Sequence, residues 1–208
     1  MERSLPMLRT LPLAVLLALG ATVAHAEQGD WQLKFGAHAV DPKSGNGHLA
    51  GGALAADVDS AWSPTVTLEY AMTPNLGIEV LAAWPFEHDV KLNGAKAATV
   101  KQLPPTVSLQ WHFMPDAKVS PFVGLGINYT RFFSIDESGP LDGKNLDLGD
   151  SWGLAAHAGI DVALAPRWSL TVDARWIDID TDAKVDGAKV GTVAIDPLVY
   201  GVAIGYRF

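Results

Sequence analysis

Cysteine is absent from all 208 residues, which removes thiol catalysis, thiolate metal centres and disulfide stapling together. Charge is sparse, at 18% of residues, and leans acidic: Lys+Arg 15 against Asp+Glu 23 leave a net charge of −8. A face for nucleic acid would have to oppose the field of the whole molecule, so no such partner is expected. After residue 27 no stretch carries the period of an amphipathic helix, and no apolar run reaches the ~18 residues of a spanning helix. Neither a phosphate-cradling glycine loop nor a paired-histidine metal motif is present, so no cofactor or metal is expected. With 49% hydrophobic residues the chain suits one domain of ordinary size, and neither disorder nor a collagen-like repeat fits.

What is present begins with an address. Arg3 and Arg9 form a short basic region, Leu11 to Ala24 is uncharged and apolar, and Ala24-His25-Ala26 offers small residues at alternate positions. Residues 1–26 therefore predict a secretory signal peptide cleaved before Glu27. Without Glu2, Arg3 and Arg9 the remainder holds 22 acids against 13 bases, a net charge of −9.

From there apolar residues recur at every second position, the period of strands. Trp31, Leu33, Phe35, Ala37 and Ala39 alternate with Gln32, Lys34, Gly36 and His38, and Val66, Leu68, Tyr70 and Met72 do the same. Further strands are expected at Leu76 to Phe86, Leu103 to Phe113, Pro121 to Phe133, Trp152 to Leu164, Trp168 to Asp180 and Ile195 to Phe208, eight in all. Tight links (73–75, 114–120, 165–167) alternate with long ones (41–61, 87–102, 134–150, 181–193). A transmembrane barrel explains that rhythm, with brief periplasmic turns and four long extracellular loops. The non-oily face carries Lys34, Glu69, Glu79, Gln110, His112, His157, Asp161, Asp173, Arg175 and Arg207, which cannot fill a dry core unless paired. The oily face is thus expected to meet lipid, giving an all-β fold, an eight-stranded antiparallel transmembrane β-barrel over 27–208 in an outer membrane rich in lipopolysaccharide. Glycines 124, 126, 153, 159, 201 and 205 share the inward face, where small residues let strands curve.

Several motifs stand in a familiar order. They are Leu103-Pro104-Pro105-Thr106, Pro121-Phe122-Val123-Gly124-Leu125-Gly126-Ile127-Asn128-Tyr129-Thr130, Asp150-Ser151-Trp152-Gly153, Asp178-Ile179-Asp180-Thr181, and Asp196-Pro197 with a terminal Tyr206-Arg207-Phe208. Over nearly the whole length after residue 27 the chain resembles the outer-membrane protein W (OmpW/AlkL) family. That resemblance implies a passive pore for small hydrophobic solutes, entered from outside and left sideways through the barrel wall. Tyr206 and Phe208 look like the signal read by the barrel assembly machinery.

An eight-stranded barrel is barely wide enough for its own side chains, so Lys34, Arg175 and Arg207 are expected to neutralise Glu69, Glu79, Asp161 and Asp173 as an interior plug. A solute then needs an apolar vestibule above the plug and a gap in the wall. Proline opens ladders because it lacks an N–H, which makes Pro85, Pro104, Pro105 and Pro197 candidates for the opening. Leu81 and Ala83 point inward, and resemblance places Leu81 where the channel narrows; a mere filling role for Leu81 stays open. The inward His38, His112 and His157 raise the question of catalysis, but Ser108 and His112 lie roughly 13 Å apart along one strand, so no enzyme is expected. Asp136, Glu137, Asp142, Asp147, Asp150, Asp178, Asp180, Asp182 and Asp186 read as a solvated acidic rim rather than a calcium loop. The alternative function is a structural or surface-recognition barrel whose loops bind lipopolysaccharide, host or phage.

Overall fold

The computed structural model describes residues 27–208; the expected signal peptide lies outside the described residues. Eight strands form the barrel: β1 (Trp31–Asp41), β4 (Ala61–Ala71), β5 (Leu76–Ala83), β8 (Thr106–His112), β9 (Val119–Glu137), β11 (Ser151–Ala165), β12 (Trp168–Ile177) and β15 (Leu198–Arg207). Every pairing is antiparallel, in the order β11-β12-β15-β1-β4-β5-β8-β9, and pairing of β9 with β11 closes the cylinder. Alternation has the sense expected for lipid. Phe35, Leu125, Ile127 and all seven tryptophans are exposed on the outer face, while Lys34, Glu79, Gln110 and Arg175 are buried within.

Tryptophans gather at the two ends of the outer wall, Trp31, Trp111 and Trp168 near the short turns and Trp62, Trp84, Trp152 and Trp176 near the long links. Trp31 lies against Tyr70 (4.8 Å between centroids), Trp168 against Tyr206 (5.0 Å) and Tyr129 against Trp152 (4.8 Å). Amphipathic rings take such positions at both interfaces of a membrane.

The four long links are not loops. They carry β2 (Gly47–Leu49), β3 (Leu54–Val58), β6 (Phe86–Leu92), β7 (Ala95–Leu103), β10 (Leu146–Leu148), β13 (Asp180–Val185) and β14 (Ala188–Ala194). Strands β7, β6, β3 and β2 extend the sheet from the upper part of β9, and β10-β13-β14 form a second sheet. Asn93-Gly94 and Asp186-Gly187 turn the β6/β7 and β13/β14 hairpins with φ of 49° and 81°, and 51° and 82°, left-handed values that these residues tolerate best. The two sheets meet at buried Asn46. Its carbonyl accepts from Ala194 N (2.8 Å), its Nδ2 donates to the Ala194 carbonyl (2.9 Å), and its Oδ1 accepts from Val58 N (2.8 Å). The barrel is thus crowned by a second enclosure at its long-link end.

Four of the barrel strands stop earlier at that end than the alternation predicts, while the fifth runs on to Glu137, past the expected Phe133. The third ends at Ala83 rather than Phe86, the fourth starts at Thr106 rather than Leu103, the seventh ends at Ile177 rather than Asp180, and the eighth starts at Leu198 rather than Ile195. Pro85, Pro104-Pro105 and Pro197 stand at three of the four boundaries, each missing the N–H that a ladder needs.

Candidate functional site

The middle of the barrel is filled by one connected polar network. From β12, the Arg175 guanidinium reaches Glu79 of β5 through Nη1 and Asp173 through Nε, both at 2.7 Å. Asp173 also meets His38 Nε2 of β1 at 3.1 Å, and His38 Nδ1 lies 2.8 Å from Thr65 Oγ1 on β4. Lys34 bridges Glu69 at 3.3 Å and Asp161 at 3.4 Å, with Thr171 donating to the same Asp161 carboxylate. Gln110 and His112 of β8 join the halves: His112 Nε2 is 2.7 Å from Glu69 Oε1, and Gln110 Oε1 is 3.0 Å from His157 Nε2. Every carboxylate here touches at least one cation or donor, which is how buried charge becomes tolerable.

Glycine makes room for this network where a larger residue would strike it. A Cβ at Gly124 would run into the His157 imidazole. Arg207 is half-buried beside Gln32 at the short-turn mouth, its ladder partner. It stands below the buried centre of the network, where Gln32 Nε2 donates to Ser169 Oγ (2.8 Å). The terminal Phe208 is exposed and exchanges backbone hydrogen bonds with Trp31 (2.9 and 3.1 Å). Ser108 Oγ, although buried, makes no hydrogen bond to His112 or any other group.

Above the plug lies a lower cavity of about 10 Å³, bordered by His38, Leu81, Ala83, Phe86, Pro104 and Pro197 among others. Leu81 is 4% exposed and sits opposite Thr67 on β4 and Thr106 on β8. At this height the wall is interrupted. The β5–β8 ladder ends at Leu81 and Thr106, the β6–β7 ladder starts at Phe86 and Gln102, and between them Ala82 to Pro85 face Leu103 to Pro105 with no ladder pair. The freed groups are satisfied elsewhere: Trp84 N donates to the Pro64 carbonyl (3.0 Å), and Asn128 Nδ2 donates to the carbonyls of Pro104 (3.1 Å) and Pro105 (3.2 Å). The gap therefore leaves no hydrogen bond begging to close it.

Outside the gap the wall bears a groove of about 420 Å³, lined by Val66, Ala82, Ala83, Trp84, Pro85 and Leu103. Ala83 borders both this groove and the lower cavity. At Pro197 the backbone stays connected: Ile177 N donates to the Pro197 carbonyl (3.3 Å) and Ile195 N to the Ile179 carbonyl (2.8 Å). Pro197 lines the lower cavity without interrupting the wall.

The crowning enclosure holds a chamber of about 180 Å³. Leu49, Val90, Val100, Phe132, Leu141 and Val193 contribute to walls that are almost wholly apolar. These residues fall largely in segments that the sequence suggests are loops, so the sequence alone assigns no lining residues to the apolar vestibule expected above the plug. Two signals in the chain point toward it: Asn93-Gly94 and Asp186-Gly187, each flanked by alternating Val, Ala and Lys, are hairpin signatures. Around the rim, Asp182 pairs with Lys189 (2.6 Å), Asp186 with Lys144 (3.0 Å) and Asp196 with Lys43 (2.6 Å).

Residues 27–208 match the profile of the OmpW family. The outer membrane protein W of Salmonella typhi is 38% identical over 206 residues, covering 95% of this chain and 96% of that protein. Among solved structures, the crystal structure of the outer membrane protein OprG from Pseudomonas aeruginosa superposes with a TM-score of 0.79 at 34% identity, over 90% of this chain and 99% of that one. The solution structure of the Escherichia coli outer membrane protein W gives a TM-score of 0.62 at 36% identity, over 88% and 99%.

Proposed function

Since the chain belongs to the OmpW family and is an outer-membrane β-barrel, we propose that it is a passive channel for small hydrophobic molecules, taken in at the long-link end and released sideways into the membrane. The observation that carries this reading is Ala83, which borders the lower cavity on one side and the outer groove on the other, paired with Thr65 of β4 but with no ladder pair on the side facing Leu103 to Pro105. Only the thickness of one small side chain separates inside from lipid. The chamber supports the first half of the route: apolar cavities of about 150 Å³ stay dry and admit benzene-sized molecules. Beneath the opening, the charged network blocks axial passage, because a hydrocarbon there would have to break buried ion pairs. A lateral exit avoids that cost.

In this reading the long-link end faces outward, the outer face meets lipid and lipopolysaccharide, and Tyr206 with Phe208 presents the strand read by the assembly machinery. No catalytic step is involved, and the interior histidines serve the plug.

The test is uptake of n-octane by outer-membrane-intact cells at matched folded levels of each variant. Leu81→Arg puts a charge into the narrow point and is expected to slow uptake at least tenfold, the equivalent of about 1.4 kcal/mol in the barrier. Ser169→Arg, inward but near the short turns, should transport like wild type, since a lateral route never reaches it. Equal loss in both variants refutes the sideways exit. Wild-type uptake no greater than that of cells lacking the protein refutes the channel and favours a surface-recognition role.

A further inference from the structure

One residue borders both enclosed spaces. Among the described residues Gln102 alone lines the upper chamber and the lower cavity alike. It is 1% exposed, stands opposite Phe86 across the β6–β7 ladder, and stops the two spaces from merging. A solute moving from chamber to wall opening must displace its side chain, because the lower cavity, at about 10 Å³, offers no more room than one water needs.

Its amide is held in place. Gln102 Nε2 lies 2.9 Å from His88 Nε2, and His88 Nδ1 lies 2.7 Å from the Asp59 carbonyl oxygen. A carbonyl can only accept, so Nδ1 carries the hydrogen and the neutral ring offers Nε2 as the acceptor for Gln102. The imidazole is thereby fixed from behind while it grips the amide in front. Thr181, the other polar residue on the chamber wall, is already engaged, its hydroxyl donating to the Gly149 carbonyl at 2.6 Å. On the lower-cavity side the polar lining residues, His38 and Thr65, are engaged with each other at 2.8 Å, so an amide that leaves His88 meets only groups that already have partners. An aliphatic side chain at this position would seal by packing alone, whereas the amide seals by packing and by a directional bond that is lost on opening.

We propose that Gln102 is the gate between chamber and lower cavity and that His88 is the latch holding it shut. This inference rests on the transport reading above and adds the step that controls it.

The experiment measures n-octane uptake by outer-membrane-intact cells expressing the full chain, with folded protein matched by heat-modifiable electrophoretic mobility. Gln102→Ala should raise uptake about fivefold or more, the rate equivalent of one net hydrogen bond. His88→Phe keeps the ring volume and removes the acceptor, so it should raise uptake about fivefold in the native background and add nothing in the Gln102→Ala background. Gln102→Met, which fills similar space without a donor, should be equally insensitive to His88→Phe and serves if the alanine variant does not fold. If His88→Phe has the same effect whether or not Gln102 is present, or if no Gln102 variant changes the rate while wild type exceeds cells lacking the protein, the gate is refuted and the channel stands. If wild type shows no such excess, the channel fails and the gate with it.

Discussion

Arg175 offers the sharpest test of the plug. Its guanidinium makes two 2.7 Å contacts, to Glu79 and Asp173, with all three side chains 2–3% exposed. Arg175→Met keeps a long, unbranched side chain but removes the cation shared by two buried carboxylates, leaving Glu79 without its ion pair and Asp173 with His38 alone. Breaking a buried pair by removing one partner costs about 3–5 kcal/mol, so the unfolding equilibrium should shift by roughly two to four decades. Urea titration of the barrel in lipid vesicles, followed by tryptophan fluorescence and by the mobility shift of unheated samples, reads that change directly. The triple variant Arg175→Met, Glu79→Gln, Asp173→Asn leaves no unpaired charge and should recover most of the loss. Lys189→Ala is the comparison: its partner is Asp182, the two side chains are 55% and 46% exposed, and such pairs contribute about 1 kcal/mol or less. If Arg175→Met destabilises no more than Lys189→Ala, the interior is hydrated and the network does not block the axis.

Other consequences are open to simple measurement. Gly124→Ala should destabilise the barrel by about 1–3 kcal/mol through overpacking against His157, and the loss should largely vanish in a His157→Ala background, as refolding yields in vesicles would reveal. Burial holds the His88 imidazole below its ordinary value of 6.5; the unfolded chain therefore takes up its proton first, and stability present above that pH is lost as pH falls toward the depressed folded value. Urea midpoints measured from pH 8 to 5 should drop less for His88→Phe than for wild type, and identical slopes would overturn this. A protease site inserted at Gly143, an exposed position with open space around it, should be cut on intact cells, whereas one at Asp116 in a short turn should be protected; reversed cleavage would invert the assigned orientation.

The barrel is legible in the sequence because a strand between lipid and a largely polar interior puts an apolar residue outward at every second position, as at Phe35, Val66, Leu109, Leu125 and Val202. The plug follows from the same parity: a residue such as Glu79 or Asp173 has nowhere else to point. The chamber is not legible in that way. Its wall is assembled from β2, β3, β6, β7, β10, β13 and β14, which belong to four separate links, and local polarity in Glu87, Asp89, Lys91 and Lys96 hides the inward Val90, Leu92 and Val100. Proline marks where ladders stop but not which stop leaves a hole. Pro85 and Pro104-Pro105 lie on facing segments and their effects combine, whereas Pro197 faces segments whose amides still find carbonyls. Asn128, which quiets the two proline carbonyls, stands in the Pro121 to Thr130 motif, but neither that motif nor its inward parity tells which carbonyls its amide meets.

The same interior network constrains how the molecule can be made. Arg175 and Glu79 are 96 residues apart, Lys34 and Asp161 are 127 apart, and His38 and Asp173 are 135 apart. Among the described interior charges only Lys34 with Glu69 and Arg175 with Asp173 pair within one hairpin or one strand, so a half-inserted sheet would carry ammonium, guanidinium and carboxylate groups that lack part of their complement on the face about to be enclosed. Each would keep its hydration shell until the first and last strands pair. Closure and dehydration then become one event, late and cooperative, with a high loop-closure cost and a correspondingly slow spontaneous rate. A chain of this kind gains from a catalyst that holds its two edge strands apart, in contact with water, until the whole complement of partners has arrived.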